Sequence, residues 1–327
     1  MMRFLGRRLA GHLGLAVLAS CLGYLLASVA LDPAARFAGR TPPVPPATVT
    51  VALDRLGVDP DVPLLERLWH WVVQLLTTGS LGRTSRGTQV VDDIVGRAGT
   101  SLRLLLVGTA LGALVGVAVG VRGAISQNRV FDRTTTYGSF VVLATPVFVV
   151  GTLLMVGATR LDDAVGRRAI PFTGEYTGGL TGGFWVPAGD RAAHLLLPTL
   201  ALALAGAATY SRYQRSAMLD VLSADYVRTA RAKGRTRRSA LVRHGVRVAL
   251  VPMSTFFAYS FGLLLTGAAV VELTFSWHGM GEYLVASIAN DDVNAAAGTI
   301  AFTAVLVLLA GTAADLLHSA LDPRVRG

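Results

Sequence analysis

Apolar residues gather in blocks along this chain, and the blocks share a length. Six of them run to about 20 residues with few charges, the number a helix needs to cross a hydrocarbon layer roughly 30 Å thick. They are Leu9–Leu31, Ser101–Val121, Tyr137–Thr159, His194–Ser211, Val251–Glu272 and Thr299–Ser319. Each is expected to be helical, because in lipid a helix satisfies its own backbone hydrogen bonds. The fourth is short and carries Pro198, which a helix tolerates near its start, where the missing N–H has no partner anyway. The pattern therefore predicts an all-α polytopic membrane protein with six transmembrane helices.

The polar stretches between blocks divide the chain into three regions. Residues 1–31 form an N-terminal tail and first span, 32–100 a long loop, and 101–327 a core of five spans containing the polar loop 212–250. A loop as long as Asp32–Thr100 is expected to carry structure of its own. Within it, the prolines of Thr41–Pro46 predict an extended polyproline spacer. Pro63–Leu76 then places Leu64, Leu65, Leu68, Trp69, Val72, Leu75 and Leu76 at helical spacing, an amphipathic helix too short to span. Its stripe is expected to pack on the protein's own outer ends or at the lipid interface, with partner binding as the alternative. Gly174–Gly183 reads as a mobile glycine-rich loop, and no repeat of 20–50 residues is evident.

Composition agrees with the blocks: 52% of residues are apolar and 15% charged, against about 25% charged in soluble domains. The net charge of +10 acts as an orientation signal. Of the 30 Arg and Lys, 18 fall in Met1–Arg8, Arg122–Thr136, Arg212–Leu250 and Ala320–Gly327, and the loop Leu273–Gly298 has none. Positive charge on short loops marks the inside, so both termini are expected in the cytoplasm and 32–100 outside. Nucleic-acid binding would need the basic residues on one soluble domain and is not expected. Arg3, Arg7 and Arg8 before an apolar run also resemble a signal peptide, with Leu18–Cys21 as a lipoprotein cleavage box. The apolar stretch Leu22–Leu31 favours an uncleaved span instead, and Cys21, the sole cysteine, can form no internal disulfide.

Catalytic motifs are missing. There is no phosphate-cradling G-x-x-x-x-G-K-[ST], and the sole lysine, Lys233, precedes a glycine instead of following one. There is no G-x-S-x-G or H-E-x-x-H, and the six histidines never fall three or four residues apart, so no metal site is expected. Two carboxylates lie in spans. Asp315, near the inner edge, could relay protons but is explained by pairing or snorkelling, and Glu272 is expected to face the outer interface.

The polar loop carries the sharpest signal. Ser223 is a good N-cap, Asp225 suits the positive end of a helix dipole, and Gly234 is a natural terminator. Tyr226, Val227, Ala230 and Gly234 form a narrow stripe, with Arg228 and Arg231 facing elsewhere. So short a helix is marginal alone and is expected to dock into something. Thr236 should cap a second helix bearing Arg237, Arg238, Arg243 and Arg247. A solvated loop that only enforces topology is the alternative.

Asp225–Gly234, reading DYVRTARAKG, with His244, Arg247, Ala249 and Pro252 downstream, resembles the signature loop of the membrane-spanning permease subunits of dipeptide and oligopeptide ABC importers. The resemblance extends in order over nearly the whole chain: Arg3–Arg8, Gly79-Ser-Leu-Gly82 with Thr84, Thr145-Pro146, Leu197-Pro198, Arg212-x-x-Arg215, Phe275–Gly281 and Leu321–Arg324. In the wider importer family the loop reads E-A-A-x-x-x-G; here Arg228 stands for the glutamate, Thr229 for the first alanine, and Ala230 and Gly234 match. The wider motif's proline follows the glycine sooner than Pro252 does, which leaves the exit of the second helix less well defined.

The resemblance implies an ABC-importer permease fold and a coupling helix formed by Asp225, Tyr226, Arg228, Thr229, Ala230, Arg231, Ala232, Lys233 and Gly234. The implied partners are a second homologous permease subunit, two ATP-binding subunits or one fused ATPase chain, a lipid-anchored extracytoplasmic substrate-binding protein, a peptide substrate and membrane lipid. ATP and Mg would be held by the partner subunits and no cofactor by this chain. Trp69, Trp71, Phe275, Trp277, Gly279 and Gly281 are candidates for docking the binding protein. The implied location is the cytoplasmic (inner) membrane. Relatives in this branch carry nickel, glutathione or other small solutes, so the cargo stays open. A proton-coupled carrier using Asp315 and a membrane-anchored docking protein are the readings outside this class.

Overall fold

Ten helices account for nearly all the regular structure among the described residues, alongside one short 3-10 turn and an isolated bridge between Arg83 and Gln89. In this computed structural model residues 2–38, 41–222, 224–234, 236, 239, 245–246, 248–250, 253 and 268–321 are described. Side chains are described for the same residues except 2–9, 226, 228, 230, 231, 314 and 317–321. The helices are α1 (Met2–Ala30), α2 (Pro46–Arg55), α3 (Leu64–Thr78), α4 (Val90–Ile125), α5 (Val130–Ala144), α6 (Val147–Val165), α7 (Trp185–Leu222), α8 (Asp225–Ala232), α9 (Met280–Ala289) and α10 (Val293–Leu321). Residues 268–275 are also helical.

Among the described residues, four stretches are long and apolar enough to cross a membrane: Ala10–Ala30, Val90–Ile125, Trp185–Leu222 and Val293–Ala313. They contain or overlap the first, second, fourth and sixth predicted spans. The third is not one straight helix, because α5 and α6 meet at a 105° bend. The break lies at Thr145-Pro146: Thr145 is extended, as a residue before proline prefers, and Pro146 opens α6 without an N–H to continue the ladder. The fifth predicted span, Val251–Glu272, lies outside the described residues except at 253 and 268–272. Pro198 falls well inside α7, which begins at Trp185, so the expectation of a proline near a helix start is corrected. Glu272, expected at the outer interface, is 1% exposed.

The chain divides into two units, one made of Met2–Ser101 and His278–Leu309, the other of Leu102–Trp277 and Ala310–Gly327. In the first, Tyr24 and Trp71 sit 5.1 Å apart at the centre of a cluster with Leu53, Val58, Val293 and Ala297. The Trp71 indole donates to Leu81 O at 3.3 Å. Gly23 lets α1 approach α10 so closely that a Cβ there would collide with Ile300. The long loop does carry structure. Its proline run is shorter than predicted as a spacer, because Pro46 is the first residue of α2, a position proline suits.

α3 forms as predicted, but its stripe splits into two faces. Leu68, Trp71, Val72 and Leu75 turn into the cluster, while Leu65, Trp69 and Leu76 are exposed. Gly79 ends the helix at φ +68, and Gly82 lies against the side chain of Asn294 at φ +91. Asn294 donates to Leu56 O at 2.8 Å and Arg83 O at 3.0 Å, and Asp292 accepts from Ser85 N and from Ala295 N in the first turn of α10. The run Gly79–Thr84 thus has a structural reason: it is the hairpin lead-in gripped by the start of α10.

In the second unit α4 and α7 run against each other along Gly108, Gly112, Gly116 and Gly120, four glycines spaced by four. A Cβ on Gly116 would sit 2.6 Å from Tyr210 Cβ, and one on Gly120 2.6 Å from Ser211 O. Small residues at that period let two helix backbones meet, which is how helices associate when lipid removes the hydrophobic drive. Leu104, Leu105, Leu197, Leu202, Phe275 and Trp277 fill a core nearby. The start of the loop read as mobile is tied down: Gly174 N donates to Phe275 O at 2.9 Å, Thr177 donates twice to Asp190, and Glu175 pairs with Arg103 and Arg191, while residues 178–183 are exposed.

Candidate functional site

α8 is the shortest of these helices, and its flanks explain both its length and its position. The chain turns out of α7 within two residues: Ala224 N donates to Val221 O and Val227 N to Ala224 O, each at 3.1 Å. Asp225 occupies the first turn, where a carboxylate meets the positive end of the helix dipole. The predicted cap, Ser223, lies outside the described residues. At the other end Lys233 N still reaches Thr229 O at 3.1 Å, then Gly234 takes φ +85 and the helix stops.

The two faces of α8 differ. Val227 is 3% exposed and packs with Ala124, Met218, Val221 and Ala249. Asp225, Thr229, Ala232, Lys233 and Gly234 are exposed. This corrects the predicted stripe. Val227 faces the chain's own core, not outward with Gly234, because so short a helix is marginal alone and an apolar β-branched side chain anchors it by burial. Tyr226, Arg228, Ala230 and Arg231 have helical backbone, and their side chains lie outside the described set. Beyond the turn Thr236 Oγ1 accepts from Ser239 N at 3.3 Å, the expected cap geometry. Arg237, Arg238, Arg243, His244, Arg247 and Pro252 lie outside the described residues.

The segment of α7 that carries α8 is itself gripped. Arg215 sends Nε to Asp132 Oδ1 at 2.5 Å and Nη2 to Asp132 Oδ2 at 2.8 Å, a two-pronged ion pair. Arg212, one turn earlier, lays its guanidinium 4.3 Å from the centre of the Phe140 ring. Both partners belong to α5, so the Arg212-x-x-Arg215 spacing puts two cations on one face against one neighbour. Asp132 is 2% exposed and also accepts from Asn128 N at 2.9 Å. No sequence pattern marked Asp132 as a partner, since 83 residues separate it from Arg215.

The other sequence candidates do not gather into one surface. Trp69 is 66% exposed, whereas Trp71 is 4% and Phe275 and Trp277 are each 1% exposed. Their aromatic rings fill cores, so docking through those three side chains is corrected to a structural role. Gly279 immediately precedes α9 and is buried, and Gly281 lies in its first turn. In the unit of Met2–Ser101 and His278–Leu309 a polar cleft of about 400 Å³ lies between the 84–88 turn, the start of α4 and α9. Tyr283 donates to Asp93 Oδ2 there at 3.1 Å, and burial together with the Asp93 charge pushes its phenol pKa above the usual value.

The sequence profile of the family described as binding-protein-dependent transport system inner membrane component matches residues 108–327. The chain belongs to that family. It is a multi-pass membrane protein and a permease subunit of an importer of this type, and the matched region contains α8, both arginines and the glycine seam. Among its relatives, the oligopeptide transport system permease protein OppB of Mycobacterium tuberculosis is 48% identical over 326 residues, all of this chain and 99% of the relative. The glutathione transport system permease protein GsiC of Escherichia coli is 30% identical over 331 residues, with the same coverage. Residues 1–107, outside the family profile, are thus shared with full-length relatives.

Proposed function

We propose that this permease subunit moves peptides inward across the cytoplasmic membrane by alternating access, with α8 as the helix through which separate ATPase subunits drive it. Both termini and α8 lie on the cytoplasmic side, and the 32–100 segment lies outside, where a lipid-anchored binding protein delivers the cargo. A second permease chain completes the pathway. ATP and Mg are held by the ATPase subunits, which close on ATP and shift the permease pair by binding one of its forms better than the other. Asp225, Thr229, Ala232, Lys233 and Gly234 form the exposed side of the contact, with Arg228, Ala230 and Arg231 on the same short helix. Among the six sequence candidates for docking at the outer face, Trp69 is the aromatic residue with an exposed side chain.

The observation that carries this reading is the architecture of α8, a short helix in which, among the described side chains, Val227 is buried against this chain while Asp225, Thr229 and Ala232 are exposed. A helix seated in a groove of a partner is the binding mode that shape suits. Peptide as cargo follows the relative named for oligopeptide transport; the relative named for glutathione supports a second reading in which a small peptide thiol is carried.

Reconstitution of the permease pair with its ATPase subunits and binding protein in proteoliposomes tests both. Labelled oligopeptide uptake is expected to stop when ATP is withheld and to continue when the proton gradient is dissipated. The reverse dependence would assign a proton-coupled carrier, and uptake of glutathione without peptide would assign the second cargo.

A further inference from the structure

The Asp132–Arg215 pair sits between the proposed drive point and the membrane helices. Met218, three residues after Arg215 on α7, is fully buried in the same cluster as Val227 of α8. A displacement of α8 therefore reaches α7 through packed side chains, and the next rigid contact along α7 is Arg215 with Asp132 on α5. We infer that Asp132 and Arg215 are positioning residues for coupling: they convert motion of the α8 end of α7 into motion of α5, and so of the bent α5–α6 pair. The inference rests on the coupling reading of α8.

A general rule and two observations point to position instead of bulk stability. Asp132 is buried and Arg215 half-buried; an ion pair taken even partly out of water contributes little net stability compared with apolar residues of similar volume, so a fold gains from it mainly a defined geometry. Here that geometry is fixed from every side. Both oxygens of Asp132 are engaged, Asn128 N holds one of them, and Gly123 leaves room, since a Cβ there would lie 3.3 Å from Asp132 Oδ1. Beside the pair, Gln214 is fully buried, and neither its Oε1 nor its Nε2 has a hydrogen-bond partner among the described residues. A buried amide without partners is destabilising, so this stretch of α7 is not held in place for stability alone. The close approach of α7 to Gly116 and Gly120 of α4, together with the ion pair to Asp132 of α5, sets where this stretch of α7 sits.

The test uses the complete importer carrying the double substitution Asp132→Asn with Arg215→Gln, which removes the charge pair without leaving a lone buried charge. The expected result is normal membrane level and normal association with the ATPase subunits, with at least tenfold fewer peptides moved per ATP hydrolysed. Arg215→Lys, which keeps the charge but loses the two-pronged geometry, should show the same loss in milder form. Unchanged transport per ATP in the double variant overturns the inference, as does a loss that only tracks reduced protein level in both variants. Gly234→Trp in parallel separates the two readings. If it uncouples while the double variant does not, the ion pair is merely structural; if neither changes transport per ATP, the coupling reading of α8 itself fails.

Discussion

Replacing Gly234 with tryptophan is expected to bring peptide uptake to background while the protein still inserts at normal level. Gly234 has φ +85, a conformation that costs an L-residue roughly 1–2 kcal/mol, yet a Cβ there would meet nothing within 4 Å. The space around it is open, so a large side chain does not collide with this chain. Its effect falls on the turn that ends α8 and on whatever covers that turn. Gly234→Ala carries the backbone strain without the bulk and should reduce uptake only partly. Equal loss in both variants would place the effect in the turn alone, and uptake unchanged by tryptophan would remove Gly234 from the contact. The measurement is uptake of labelled peptide normalised to membrane-inserted permease.

The second large effect is expected inside the membrane. Gly120→Leu places a side chain where even a Cβ would lie 2.6 Å from Ser211 O and 2.8 Å from Gln214 Cβ. Neither neighbour is the free end of a flexible chain. Overpacking of this kind costs about 3 kcal/mol or more, since α4 and α7 must separate along the whole seam. The detergent-solubilised protein should unfold well below the wild-type temperature, and little of it should assemble with a second permease. Gly99→Leu, at a helical glycine with nothing within 4 Å of its Cβ, is the control and should leave the melting temperature nearly unchanged.

Much of the architecture was legible because lipid imposes a length. Blocks of about 20 apolar residues predict spans wherever the helix is straight, and α1, α4, α7 and α10 contain or overlap four of them. The third block is not one straight helix, because a local steric rule interrupts it. Thr145-Pro146 is visible in the sequence, but hydropathy alone does not report that the chain bends there by 105°. α2 was hidden for the opposite reason: Pro46 belongs equally to a polyproline run and to the first turn of a helix. Glu272 sits at the edge of an apolar block, which reads as an interface, and only packing shows it buried.

The candidate site was legible in its caps and not in its faces. Asp225, Gly234 and Thr236 do what their residue types favour at helix ends. Which way Val227 points depends on its packing against Met218 on another helix and Ala124, which is distant in sequence. Trp71, Phe275 and Trp277 show the same limit, since an aromatic residue in a loop fills a core as readily as it meets a partner. The glycines at 108, 112, 116 and 120 were readable as a repeat of four and were overlooked. The Asp132–Arg215 pair was not readable, because nothing local distinguishes Asp132 from any other first-turn carboxylate.

The central claim, that α8 is the element a separate ATPase grips, has one direct test. Ala232 is exposed on α8, and Cys21 is the sole native cysteine, so Ala232→Cys in a Cys21→Ala background gives a single reactive thiol. Paired with single cysteines along the ATPase groove in the assembled importer, it should form a disulfide cross-link whose yield changes between the nucleotide-free and ATP-bound states. Absence of any cross-link from position 232, and likewise from 225, 229 and 233, would contradict the account.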